Sequence, residues 1–318
     1  MPKKQRKFAD DGWAVWIDGD DTSTVYINDW LNPKGRSYVD IAIRIRGMKS
    51  SKRLCVYVPF AISANEIEDV SLRFNDIKIL QAIFSASCIV DYKKNEHTSE
   101  IAYNGKTVDI MHISTMNYQV SPLAEGSLIS VDFESVQSFI DNDEAYFVWR
   151  MPHKSLDKVF RSRVNVGNVI TRLRDLITTP VVSEKYGYSV RINESRLLPE
   201  EITRLGAFHR QKLKKAVITI SIDEGYELND SNCYRIRRLE ENLYDTYLPL
   251  NYKHDSVITY QWNQTREHNL QGQFNFYYNI TKDSINGGSM TLYMVLLMII
   301  AVAGEMLADF VKALLGMA

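Results

Sequence analysis

The chain has 318 residues, 45% of them apolar and 24% charged, with a formal net charge of −1. That is a globular composition, long enough for one large domain or two ordinary ones. The near-zero balance excludes a polyanion binder that works through overall charge, but it leaves local basic regions open. Tyrosine (18), Phe (12) and Trp (5) are plentiful and suit half-buried strands better than a helical bundle.

The first residues, Met1 to Lys7, are basic and run into Phe8-Ala9-Asp10-Asp11 without an apolar stretch, unlike a secretory signal. The Asn-x-Ser/Thr sequons at Asn193, Asn229, Asn263 and Asn279 therefore read as chance matches. Asp18-Gly19-Asp20-Asp21 lacks the spacing of a calcium loop and reads as a solvated turn before the strand-like Val25-Tyr26-Ile27. Cys55, Cys88 and Cys233 form no CxxC pair, and no His lies at zinc-finger spacing from them. They read as small buried hydrophobes in a reducing compartment, and the sequence calls for no metal or cofactor.

Asp40 to Arg46 alternates strictly, as does Leu54 to Val58, and the turn-rich linker between them predicts an antiparallel hairpin. Asp69 to Ala86 carries apolar residues at helical spacing. Glu100 to Ile110 predicts a second hairpin, with Asn104-Gly105 supplying the positive-φ pair of a type I′ turn. Strands follow at Leu128 to Phe133 and Ala145 to Met151, with a short helical stretch near Ser135 to Ile140 between them. From Arg150 to Lys215 there are 15 Lys/Arg against 6 Asp/Glu. Helical spacing appears over Val164 to Ile177, and Pro199-Glu200-Glu201 opens a helix expected to reach about Lys215. Strand patterns return at Val217 to Ile222, Cys233 to Leu239, Val257 to Trp262 and Gln273 to Ile280. The fold class expected is α+β: mainly antiparallel strands with several helices, plus one C-terminal apolar helix. Residues 1–285 form the soluble region, with a subdivision near Pro152 left open, and 289–316 form the helix.

Asn286-Gly287-Gly288-Ser289 is a breaker cluster, and no charge occurs from Met290 to Gly304. Continued through Glu305, Asp309 and Lys312, the helix is about as long as a bilayer core is thick. It can span the membrane as a tail anchor, lie in the interface, or close a soluble core; the spanning reading is preferred. Gly304 and Ala308 form a small-xxx-small pair, and Glu305, Asp309 and Lys312 share a neighbouring face, a pattern suited to helix self-association in a homo-oligomer.

Arginine recurs in Arg-x-Arg pairs at Arg44/Arg46, Arg161/Arg163, Arg172/Arg174 and Arg235/Arg237. On a strand such a pair projects from one face, a geometry suited to phosphate, although ordinary solvated arginine competes. No HExxH, GxSxG, P-loop, GxGxxG or kinase set is present, which lowers the odds of an enzyme. The function expected is a membrane-anchored sensor or effector, with its N-terminal part cytosolic. It would bind an anionic ligand, a nucleotide or nucleic acid, and act through its helix, for example in antiviral defence or as a toxin. The alternative is a soluble nucleic-acid- or nucleotide-processing protein whose last helix belongs to the core.

Overall fold

The computed structural model describes residues 7–19, 22–74, 77–84, 93–94, 96–103, 106–134, 140, 142–161, 182–205, 213–228, 233–240, 243–249, 256–265, 273–284 and 287–315. In chain order the strands are β1 (Lys7–Asp18), β2 (Thr22–Trp30), β3 (Tyr38–Arg46), β4 (Arg53–Val58), β5 (Glu68–Asp69), β6 (Lys93–Lys94), β7 (Thr98–Tyr103), β8 (Lys106–Met111) and β9 (Tyr118–Leu123). They continue with β10 (Gly126–Asp132), β11 (Glu144–Pro152), β12 (Val182–Ile192), β13 (Leu213–Asp223), β14 (Glu227–Leu228), β15 (Arg235–Arg238), β16 (Val257–Thr265) and β17 (Phe274–Ser284). The helices are α1 (Ile77–Phe84), α2 (Lys154–Arg161), α3 (Glu200–Leu205) and α4 (Gly287–Leu314).

The expected α+β class holds. A seven-stranded sheet in the order β14-β17-β12-β1-β4-β10-β9 faces a ten-stranded sheet in the order β15-β16-β13-β2-β3-β11-β8-β7-β6, with β5 paired to β11. Most neighbours are antiparallel; β1–β12, β2–β13 and β8–β11 are parallel. Alternation decides which side each residue faces. Ile41, Ile43 and Ile45 of β3 point inward to meet Val15, Val56 and Val190 from the facing sheet, while Asp40, Ala42, Arg44 and Arg46 point outward. Each fully buried aliphatic side chain in that core contributes about 1.5–3 kcal/mol. The core draws on both sides of Pro152, with Trp149 and Met151 before it and Leu156 and Tyr188 after. Smaller clusters lie on the outer faces, under α1 and residues 243–248 on one sheet and under α3 on the other.

Several expectations need correction. Strands β3 and β4 are not a hairpin: β3 pairs with β2 and β11, whereas β4 pairs with β1 and β10 in the other sheet. Gly47, at φ 90°, and a 3₁₀ turn with buried Met48 carry the chain between layers, so both alternating runs face one core. The helix expected from Asp69 begins only at Ile77, because the Asp69 side chain accepts from Ser71 and Ser114 backbone N–H groups and holds a non-helical turn. The helix opened by Pro199 is described over Glu200–Leu205 and does not reach Lys215, because Leu213 to Lys215 are already β13. Helix α4 starts at Gly287, not Ser289, with the Thr291 hydroxyl donating to the Gly287 carbonyl at 2.8 Å. The β7–β8 hairpin is as expected, with Tyr103 opposite Lys106. Its Asn104-Gly105 turn and the helices read over 135–140 and 164–177 lie outside the described residues, apart from the buried Ile140.

Helix α4 passes the length and composition test for a membrane span over Met290–Leu314, with a mean hydropathy of 2.2 and none of that segment buried. The sheets close their core without it.

A buried polar network ties the two sheets together. His153 caps α2: its Nδ1 accepts from Leu156 N at 3.3 Å, which leaves the ring proton on Nε2, 2.9 Å from the Tyr188 hydroxyl. Tyr188 in turn donates to Asp11 at 2.7 Å, and Tyr278 donates to Asp29 at 3.3 Å. Asp29 Oδ1 lies 3.5 Å from His153 Nε2 and makes no hydrogen bond. Burial pushes the Asp29 carboxyl well above its ordinary range and the His153 imidazole down to about 3.

Two outcomes follow. Deleting 287–318 should leave the unfolding midpoint of the remaining chain essentially unchanged; a drop of more than a few degrees in calorimetry would return the helix to the core. A raised folded-state pKa at Asp29 contributes stability that is present near pH 4 and lost as pH rises. Asp29→Asn should therefore gain on the parent protein as pH rises from about 4, by at most about 1.4 kcal/mol per pH unit. The difference between the two unfolding curves is read across pH 6.5–8, above the range in which the His153 contribution is lost as pH falls from about 6.5 towards about 3.

Candidate functional site

The outer face of the ten-stranded sheet is polar where the inner face is apolar, and strand register decides what it collects. Arg44 lies opposite Thr24, and Thr24 opposite Lys215, so these residues stand in one row across β3, β2 and β13. Two rows on, Asn28, Thr219, Gln261 and Arg235 stand opposite one another, and in the next row Trp30, Ser221, Thr259 and Arg237. Together with Tyr26, Tyr146, Tyr234, Tyr244 and Tyr247 these side chains line a cavity of about 390 Å³. Arg44, Lys215, Arg235 and Arg237 all line it, and among the described residues no carboxylate does. A second cavity of about 240 Å³ shares Tyr26, Arg44 and Lys215 with the first and adds Arg46, Lys214, Thr24 and Thr265.

The cations are held differently. Arg44 and Arg46 both pair with Glu144 of β11, so one carboxylate offsets part of that positive charge. Arg237 donates to the Tyr244 hydroxyl and lies 5.5 Å from that ring's centroid. Burial lowers its pKa below the ordinary arginine value and neighbouring Arg235 adds to the lowering, against a partial offset from Glu240. A desolvated guanidinium beside a second one favours an incoming anion. Lys215 makes no ion pair among the described residues.

One wall of the cavity is the segment around Tyr244 and Tyr247, and a buried ion pair fixes it. Arg150 is 1% exposed and Asp40 is fully buried. Arg150 Nε donates to Asp40 Oδ1 at 2.6 Å, its Nη2 to Oδ2 at 2.9 Å and its Nη1 to the Tyr247 carbonyl at 2.7 Å. Asp40 Oδ2 also accepts from Trp30 Nε1 at 2.8 Å and from the Tyr247 hydroxyl at 3.0 Å. Burial alone would lower the arginine pKa, but the adjacent Asp40 charge holds it above the ordinary value. Arg73 Nη1 reaches the carbonyls of Thr246, Tyr247 and Leu248 from the other side.

The structure thus brings together Arg44/Arg46 and Arg235/Arg237, from strands far apart in sequence. Arg161 is the last described residue of α2, which packs on β1 and β12. Arg163, Arg172 and Arg174 lie outside the described residues. Gly304, Glu305, Ala308, Asp309 and Lys312 all lie on the exposed helix α4, where Lys312 is 3.5 Å from Asp309 and a side chain at Gly304 would meet nothing within 4 Å. Sequence reasoning missed Lys215, the tyrosines and the Asp40–Arg150 pair. Alternation in β2 and β13 carried a signal for the lining positions; nothing local carried one for the pair.

Cys55 is buried, and burial pushes its thiol up to about 12, as expected of an inert core cysteine. Among the described residues no group of His, Cys, Asp and Glu is arranged to hold a metal ion.

No family model and no curated protein matches the chain. Among solved structures, the Fcho1 mu homology domain of Danio rerio with bound Eps15 peptide aligns with 85% of this chain and 80% of that one. The identity is 8% and the TM-score 0.12, a similarity too low to bear on fold or function.

Asp40→Ala strands a buried guanidinium and should cost about 3–5 kcal/mol, as should Arg150→Ala for the carboxylate. The paired replacement Asp40→Leu/Arg150→Met should cost less than either single change. A loss in the double variant equal to the sum of the two single losses, read from urea titrations, would show that the two charges are not coupled.

Proposed function

We propose that this chain is a membrane-attached receptor whose ten-stranded sheet binds an anionic ligand of the nucleotide class. The carrying observation is the cavity of about 390 Å³ that Arg44, Lys215, Arg235 and Arg237 line together with tyrosines, with no carboxylate among the described lining residues. Guanidiniums supply charge and directed donors for phosphate, and aromatic rings supply faces on which a base stacks. A concave site of this volume suits a small-molecule ligand. Helix α4, apolar and wholly unburied, supports attachment to a bilayer. The unpaired thiols of Cys55 and Cys233 suit a reducing compartment and so a cytosolic receptor domain.

In this reading the helix is the output element. The open space around Gly304 leaves room for a helix of a second copy, and association there would couple ligand occupancy to the membrane, as an effector of a defence or toxin system requires. The rival reading, a soluble nucleic-acid-processing protein with a core helix, is less well supported, because the span of α4 is not buried among the described residues.

The experiment is calorimetric titration of the full chain in detergent micelles with a panel of mono- and dinucleotides. Binding should weaken as salt rises from about 50 to about 200 mM, because phosphate contacts release counterions. Lys215→Glu combined with Arg235→Glu should reduce affinity at least about tenfold with an unchanged unfolding midpoint. Absence of binding by every member of the panel, or affinity indifferent to both salt and the double change, would sink the proposal.

A further inference from the structure

The cations of the outer face do not form one cluster. They form two groups at opposite ends of a continuous depression, and their separation follows from strand register. Arg44 and Lys215 share a row, with Arg46 and Lys214 beside them in the adjoining cavity. Arg235 and Arg237 stand on β15, opposite Gln261 and Thr259, which lie opposite Thr219 and Ser221 of β13. From Lys215 to Arg235 is therefore two strand spacings across, about 10 Å, and four residues along, about 13 Å. From Arg44 to Arg237 is four spacings across, about 19 Å, and six residues along, about 20 Å. Side chains shorten these spans, but the roughly 28 Å between Arg44 and Arg237 exceeds what two extended arginines and one phosphate cover, so a single phosphate cannot engage both of those residues.

Between the ends the floor changes chemistry. Asn28, Gln261 and Asn263 each present an amide with both donors and an acceptor, the pairing capacity that the edge of a base requires. Tyr26 and Tyr244 border the same stretch and offer ring faces. Tyr244 is also the residue whose hydroxyl holds Arg237, so the stacking surface and the distal cation are one unit. Charge, base-edge donors and acceptors, and charge again succeed one another along the depression. Glu144 beside Arg44 and Arg46, and Glu240 near Arg237, offset part of the charge at each end without lining either cavity.

We infer that the two cavities form one elongated site for a short oligonucleotide with phosphate groups at both ends, a dinucleotide being the smallest species that reaches both. The inference rests on the nucleotide-receptor reading and deepens it. Each end holds one phosphate: the Arg44–Lys215 row at one, the Arg235–Arg237 pair at the other. A mononucleotide occupies one end only.

The test uses the full chain in detergent micelles, titrated calorimetrically with a diadenylate phosphorylated at both its 5′ and 3′ ends, with AMP, and with inorganic phosphate. The doubly phosphorylated diadenylate should bind at least about tenfold tighter than AMP, and its affinity should fall more steeply with salt, the slope of log K against log salt differing by about 0.7 for one extra phosphate contact. Lys215→Met and Arg235→Gln, at opposite ends, should each weaken the diadenylate about tenfold, while only one of them weakens AMP. Arg237→Met serves as a second distal variant, with unfolding midpoints measured for all three. If the diadenylate binds no tighter than AMP, or if the proximal and distal variants weaken AMP alike, the site is compact and the inference falls while the receptor reading stands. If the unaltered chain binds none of the probes, both fall.

Discussion

Asp40 and Arg150 face each other across β3 and β11 with almost no exposed surface, and the outer face of the ten-stranded sheet takes its shape from them. Removing two such charges from water costs several kcal/mol each, and the cost is offset only where every donor and acceptor finds a partner. Here Arg150 spends three donors on Asp40 and on the Tyr247 carbonyl, while Asp40 also takes the Trp30 indole and the Tyr247 hydroxyl. The partners beyond the pair come from β2 and from the segment near Tyr247, so satisfying the charges requires that segment to sit over the sheet. Packing against Phe74 and Leu80 then covers the join. Without the pair that segment would keep the Arg73 bonds and its apolar packing but lose its polar anchor on the sheet.

The sandwich separates its tasks by side-chain parity. Inward positions on β3 are isoleucines that contact the opposing sheet, and outward positions on the same strand include Asp40 and Arg44. A change of ligand chemistry on the outer face leaves the inner core untouched, because neighbouring residues point to opposite sides of the sheet. The second buried network, around His153, Asp29 and Tyr188, lies between the sheets instead. It keeps its imidazole neutral and its Asp29 carboxyl reluctant to ionise, as a low-dielectric interior with few compensating charges demands.

What could be read from the sequence was whatever depends on neighbours in the chain. The alternation of residues 40–46, the strand runs on either side of residues 104–105 and the apolar run after Met290 are local patterns, and each lies in an element of the type it suggested. Pairing is not local. The runs at 40–46 and 54–58 look like a hairpin to any short-range rule, yet a left-handed glycine sends them to different sheets. The Arg-x-Arg pairs were visible as candidates, but only the β3-β2-β13-β16-β15 order places Arg44 with Arg235 and Arg237. Asp40 and Arg150 are 110 residues apart, and neither residue type announces burial, so the interaction on which the site depends had no signature in the sequence.

A receptor that acts through α4 needs a physical route from the cavity to that helix, and the covalent order supplies one. Strands β15 and β16 border the site, β17 follows them, and α4 follows β17. The link is more than sequential. Gln264 of β16 donates to the Asn275 carbonyl at 2.6 Å and accepts from the Asn275 N–H at 3.2 Å, clamping the start of β17. Farther along, Trp262 of β16 stacks on Tyr278 of β17, with ring centroids 6.4 Å apart, and Tyr278 donates to the buried Asp29. Displacement of β16 by a ligand would therefore disturb both the registry of β17 and the polar network between the sheets. Contiguity alone does not make a switch: a ligand shifts an equilibrium only by its difference in affinity for the two arrangements. Strand β15 is where that difference can arise. Among the described strands it is a sheet edge paired with β16, and it carries the distal arginines. An edge strand gives up few hydrogen bonds when it moves, so phosphate contacts at Arg235 and Arg237, as proposed, would act on an edge strand one pairing away from the clamp on β17.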